Sequence, residues 1–206
     1  MAIASDFISK LPNHLLCIIL SYLPIKDAVR SSIISTKWRY LYHQLSKLIL
    51  SPDLLIGPGI PNPPAIAKVE NIITNILLLH SSDLETLDIY ATDDWNFTSQ
   101  NICKWVHCAA SKNVKVLSLR HLSASHLDSL SEYDFKPDTD PNNPRKILPS
   151  SIFLCNRLIS LTLFDCIVLE IPNGFGGFNH LTYCFFGNVE FRDDSLALFL
   201  SHFWPL

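Results

Sequence analysis

The chain has 206 residues, enough for one domain of ordinary size or for a small module joined to a larger one. Hydrophobic residues make up 48% and charged residues 17%, with a mean hydropathy of +0.22; this excludes an intrinsically disordered chain, because so much apolar surface must be buried or partnered. Sixteen Lys and Arg against 19 Asp and Glu leave a net charge of −3, so no general attraction to nucleic acid or to anionic membrane is expected.

Charge is unevenly shared. Residues 1–50 carry six basic and two acidic side chains, and the remainder carries ten basic and 17 acidic ones. Between the two regions, Ser51 to Pro64 holds Pro52, Pro58, Pro61, Pro63 and Pro64 with Gly57 and Gly59. That density stops helices and denies donors to a sheet. The expected organisation is a helical module over residues 6–50, a proline-rich linker over 51–64 and a second region over 65–206. A further proline-rich stretch, Lys136 to Ser150, reads as an exposed loop.

In the first module, Leu11, Leu15, Ile18, Ile19 and Tyr22 recur at helical spacing behind Pro12, which suits a first helical position. Pro24 should end that helix. A second is expected from about Asp27 to Ile34, and a third, capped by Ser35 or Thr36, with Trp38, Leu41, Tyr42 and Leu45 along one face. A unit of this size is too small to hide Leu15, Leu16, Ile18, Ile19, Leu20 and Leu23 together, so part of the face needs a partner.

The segment Leu11 to Tyr42, LPNHLLCIILSYLPIKDAVRSSIISTKWRYLY, resembles the F-box of plant F-box proteins that carry leucine-rich repeats. The likeness rests on Leu11-Pro12, on Leu15 with Ile18-Ile19-Leu20, on Leu23-Pro24, on Ala28-Val29, and on Ser35 followed by Lys37-Trp38-Arg39 and Leu41. It implies docking on a Skp-type adaptor, and through it on cullin and RING subunits of a ubiquitin ligase. The adaptor-facing positions carried over by the resemblance are Leu11, Pro12, Leu15, Ile19, Leu20, Leu23, Pro24, Val29 and Trp38. Asn13-His14 stands where the family usually has acidic residues, forgoing about 0.3–1 kcal/mol of favourable charge at a helix start.

Beyond the linker a pattern returns in which an apolar residue is followed by others at +3 and +5: Leu84, Leu87, Ile89; Val114, Leu117, Leu119; Leu158, Leu161, Leu163; and Leu181, Cys184, Phe186. Such spacing opens a leucine-rich repeat, and Cys166 and Val168 extend the third instance. Helical stretches, Ala65 to His80 and Ser99 to Ala110, precede the first two. One unit cannot bury its own strand, so the units should stack into a curved solenoid with parallel strands. The expected fold class is α/β, a small N-terminal helical F-box followed by an incomplete, irregular leucine-rich-repeat solenoid. Asp194 to Leu206 reads as the helix of a further repeat without its strand or cap, an apolar edge expected to limit solubility or to drive dimerisation.

Other constellations carry little chemistry. Cys103, His107 and Cys108 do not complete a zinc set of four ligands. The six cysteines, at 17, 103, 108, 155, 166 and 184, read as buried thiols of a reducing compartment, and no cofactor is expected. Asn173 to Gly177 is glycine-rich but lacks the phosphate-cradling forms and reads as a turn. Asn96-Phe97-Thr98 fits a glycosylation pattern that an intracellular chain would not use. The start lacks the plan of a secretory signal, no membrane span is expected, and the expected location is the nucleus and/or cytoplasm.

The expected function is that of a non-catalytic substrate receptor, with a target, unknown from sequence, held by the repeats through residues that the sequence does not identify; Arg120, His121, Asp165 and Glu190, near the strands, read equally as target-facing or as solvated surface. The alternative is a truncated adaptor-binding fragment that competes with full receptors and recruits nothing.

Overall fold

In the computed structural model, residues 8–33, 36–52, 55, 63–92, 97–122, 146–192, 197 and 199 are described. Helix α1 spans Asn13–Ser21. Pro12 is its N-cap, one position earlier than expected, and accepts from the amides of Leu15 (3.1 Å) and Leu16 (3.2 Å). Pro24 ends this turn of chain and is itself the N-cap of α2, Ile25–Arg30, which passes into a 3-10 turn, Ser31–Ile33.

The expected third helix is not formed. Residues 36–40 are turns, followed by a 3-10 turn at Leu41–Gln44, and the chain is extended from Leu45. The reason lies in a second pattern overlapping the helical one. Leu45, Leu48 and Leu50 have the same +3 and +5 spacing as the four later repeats, and Lys47–Leu50 forms strand β1. The repeat sheet therefore starts before the proline-rich segment.

Helix α3, Pro63–Leu79, leads into β2, Thr86–Thr92; helix α4, Ser99–Ser111, leads into β3, Val116–Leu122. Strand β4, Lys146–Leu148, follows, then a 3-10 turn at Ser150–Leu154, β5 at Ser160–Phe164, β6 at Cys166–Val168, β7 at Tyr183–Gly187 and β8 at Glu190–Phe191. Among the described residues all pairings are parallel, in a five-stranded sheet β1-β2-β3-β5-β7 and a three-stranded sheet β4-β6-β8. The four expected repeat strands are thus present. The stretch expected as a loop is corrected at its end, because Lys146–Leu148 pairs with β6 and Leu148 is buried.

The pattern becomes a core because successive units stack in register. Leu48, Leu87, Leu117 and Leu161 form one row, in which each is at most 1% exposed, and Leu50, Ile89, Leu119 and Leu163 form the next. The residues three before the first row, Leu45, Leu84, Val114 and Leu158, are buried as well. Each step between units is closed by one carbonyl that accepts two amides from the next unit. Ser46 accepts from Glu85 and Thr86, Glu85 from Lys115 and Val116, Lys115 from Ile159 and Ser160, and Ile159 from Thr182 and Tyr183, all within 2.7–3.1 Å.

Behind the sheet, one polar chain ties α3 to α4. Thr98 caps α4 with its side chain, its amide donates to Glu70 Oε1 (2.6 Å), and Trp105 Nε1 donates to Thr74 Oγ1 (2.9 Å), which donates to the Glu70 carbonyl (2.7 Å). The buried Glu70 carboxylate and the Trp105 indole N–H are thereby satisfied. Asn96 lies outside the described residues, as do His121 and Leu122 side chains and residues 123–145. The expected C-terminal helix also lies outside them apart from Ala197 and Phe199; Phe199 is buried against Phe178, Phe186 and Phe191.

Candidate functional site

Helix α1 is apolar nearly all round, so its two faces do different work. Leu16 and Leu20, four apart, are fully buried in the core with Trp38 and Leu41. The opposite side leaves Leu15, Ile18, Ile19, Tyr22 and Leu23 exposed, Ile18 by 52% and Tyr22 by 83%. Five large apolar side chains on two turns of helix and its exit form a contiguous patch of the kind that marks an interaction surface.

The nine expected adaptor positions divide accordingly. Pro12, Leu15, Ile19, Leu23 and Pro24 are exposed, and Leu11 and Val29 are half-buried. Leu20 and Trp38, at 0% and 7% exposure, lie in the core of this chain behind the patch. Ile18 and Tyr22 belong to the patch although the resemblance does not carry them over; the helical spacing with Leu11 and Leu15 was the signal for both. Lys37 positions the start of the patch, its Nζ donating to the Leu11 carbonyl at 2.5 Å, so the turn at 36–40 holds Leu11-Pro12 in place.

No group of three or more His, Cys, Asp or Glu that could hold a metal ion occurs among the described residues. All six cysteines are free. Cys155 and Cys166 are buried as expected, Cys17, Cys103 and Cys108 are half-buried, and Cys184 is exposed, which corrects the expectation for that residue. Cys184 continues the row of Leu161 onto the last strand, where no further described strand covers it. Burial pushes the Cys155 thiol up to about 12, the opposite of an activated nucleophile. Residues 173–177 form an open turn with Gly174 and Gly177 at φ of 83° and 84°.

On the outward face of the sheet, Arg120 donates to Asp88 Oδ2 at 2.5 Å and lies 5.4 Å from the centre of the Tyr90 ring. Asp165, at φ 55°, turns the chain between β5 and β6 and accepts from Asn188 Nδ2 at 2.7 Å, a structural role. Glu190 is exposed, 3.8 Å from Arg192. Among the described residues no helix is long and apolar enough to cross a membrane.

Comparison with known proteins places these features. Residues 8–41 match the F-box domain model. The chain is similar to an F-box/FBD/LRR-repeat protein of Arabidopsis thaliana, 27% identical over 181 residues that cover 88% of this chain and 38% of the relative. It is also similar to an FBD-associated F-box protein of the same plant, 28% identical over 81% of this chain and 35% of the relative, and to an F-box/LRR-repeat protein, 27% identical over 77% and 36%. The chain thus spans little more than a third of the length of these relatives. No solved structure matches.

Proposed function

Because this chain belongs to the plant F-box/LRR-repeat family, we propose that it is a substrate receptor of an SCF-type ubiquitin ligase, docking a Skp-type adaptor through α1 and its flanks. The observation that carries this reading is the segregation of α1: one face completes the core while Leu15, Ile18, Ile19, Tyr22 and Leu23 stand in solvent on the other. Association that covers aliphatic side chains of this kind draws on the hydrophobic effect and needs no charge match. Pro12, Leu15, Ile19, Leu23, Pro24, Leu11 and Val29 are the proposed contacts, with Ile18 and Tyr22 added.

In this role the chain makes and breaks no bonds. Held on the adaptor, and through it on cullin and RING subunits, it raises the concentration of a target near a charged conjugating enzyme. The target side is the outward face of the five-stranded sheet, where Asp88, Tyr90 and Arg120 are half-buried and Arg120 contacts the other two. Titration calorimetry of the full chain against a purified Skp-type adaptor tests the docking half. Saturable binding that Leu11→Ala with Pro12→Ala abolishes is expected; binding that survives this pair in a folded protein would refute the assignment.

A further inference from the structure

A groove of about 350 Å³ runs between α2 and α3, on a different part of the module from the α1 patch. Its floor is Ile25, Leu55 and Ile76, all at most 9% exposed, and its walls include Val29 and Tyr42 on one side and Ile72 and Leu79 on the other. Leu78 and Leu79, at the end of α3, are 65% and 55% exposed. Two adjacent leucines left in water beside an apolar trough are a feature that the fold does not need.

The charged side chains that line the trough among the described residues are cations. Lys26 and Arg30, one turn apart on α2, line it, and Lys68 stands on α3 four residues before Ile72, on the same helical stripe. Among the described residues no carboxylate lines it. Asp27 is the acidic residue of α2, and its contact with Arg30 is a long, solvent-exposed one at 3.5 Å that competes weakly with any partner. Glu70, the carboxylate of α3, is 7% exposed and engaged with the Thr98 amide. The surrounding residues 1–50 carry an excess of cations, six against two.

We infer that this groove is a docking site for an acidic amphipathic helix, whose apolar stripe would fill the trough between Val29 and Leu79 while its carboxylates meet Lys26, Arg30 and Lys68. A helix laid in an apolar groove is a recurrent mode of recognition, and a rim of one charge selects the partner's sign. The site shares Val29 with the adaptor contact proposed above, lies otherwise on different residues and does not rest on that contact.

The test is fluorescence anisotropy of the full chain with a labelled synthetic helix of about 18 residues, since shorter isolated helices are marginal in water. Its leucines recur at i, i+3, i+4 and i+7 with glutamates elsewhere, and a second probe replaces every glutamate by lysine. The glutamate probe is expected to bind saturably and salt-sensitively, and the lysine probe not to bind. Lys26→Glu with Arg30→Glu should weaken the first by at least about tenfold and admit the second, and Leu79→Asp should weaken the first, while Ile18→Asp on the α1 patch should leave the first unchanged. These positions are exposed or lie at the rim, and circular dichroism confirms that each variant is folded. No saturable binding, equal binding of both probes, indifference to the charge reversal, or a dimer of this chain that Leu79→Asp dissolves would each overturn the inference.

Discussion

The division of α1 into a core face and a solvent face can be tested by pairing two substitutions that sequence alone treats alike. Leu15 and Ile19 are 38% and 40% exposed, so an adaptor has about two-fifths of each side chain left to bury. Full burial of a leucine or isoleucine is worth about 1.5–3 kcal/mol, so that remainder is worth about 0.6–1.2 kcal/mol per residue and about 1.2–2.4 kcal/mol for the two. At about 1.4 kcal/mol per tenfold, Leu15→Ala with Ile19→Ala should raise the Kd for the Skp-type adaptor by about 7- to 50-fold. Leu20, one position on, is fully buried. Leu20→Ala should cost about 2–5 kcal/mol of folding stability, with adaptor affinity falling only as the folded fraction falls. Calorimetry at a temperature where both variants remain folded, combined with urea denaturation, reads the two effects separately. If the Leu15/Ile19 pair leaves affinity within twofold of the parent chain, or if Leu20→Ala loses affinity without losing stability, the assignment of faces is wrong.

Three further outcomes follow from local geometry. His80 is 3% exposed and its Nε2 lies 2.8 Å from the Leu45 carbonyl; burial first, opposed by that hydrogen bond and aided by Lys112, holds its pKa below the usual value, and burial with the nearby His80 does the same for His43. The unfolded chain takes up these protons near pH 6.5, so the stability they confer is full above that value and is lost as pH falls toward the lower folded values; His80→Gln should flatten a urea-midpoint profile between about pH 7 and 5. A Cβ at Gly187 would collide with the Phe164 ring, which stacks on Phe185, so Gly187→Ala should destabilise by about 1–3 kcal/mol, read as a lower Tm. The Cys155 thiol, 2% exposed, should resist iodoacetamide at pH 8 in the folded chain and react on unfolding, as mass spectrometry would show.

Much of the architecture was legible because repeat strands impose a strict spacing. The +3 and +5 positions located β2, β3, β5 and β7, since the same three residues must plug the same layer in each unit. The spacing also occurs at Leu45, Leu48 and Leu50, but there it overlaps Trp38, Leu41 and Leu45, which satisfy a helical period just as well. Periodicity cannot decide between two templates that share a residue, and tertiary pairing with β2 decided for the strand. The short sheet β4-β6-β8 was hidden for another reason: strands of two or three residues leave too few positions for alternation to register. For the site, a helix that is apolar on both sides announces that it is buried or partnered without telling which side is which. Leu20 and Ile19 look equivalent until the turn at Leu41–Gln44 closes over one of them.

The passage from the 3-10 turn at Leu41–Gln44 to the first strand at Lys47 takes only two residues, and Ser46 between them already carries two bonds from the neighbouring unit. Such a junction leaves no tether about which one part could swing against the other. On the receptor reading, cargo gripped on the sheet would ride at a set bearing and distance from the scaffold, like a tool in a fixed jaw. Which of its lysines came within range would then be settled by geometry, ahead of any chemical preference of the conjugating enzyme.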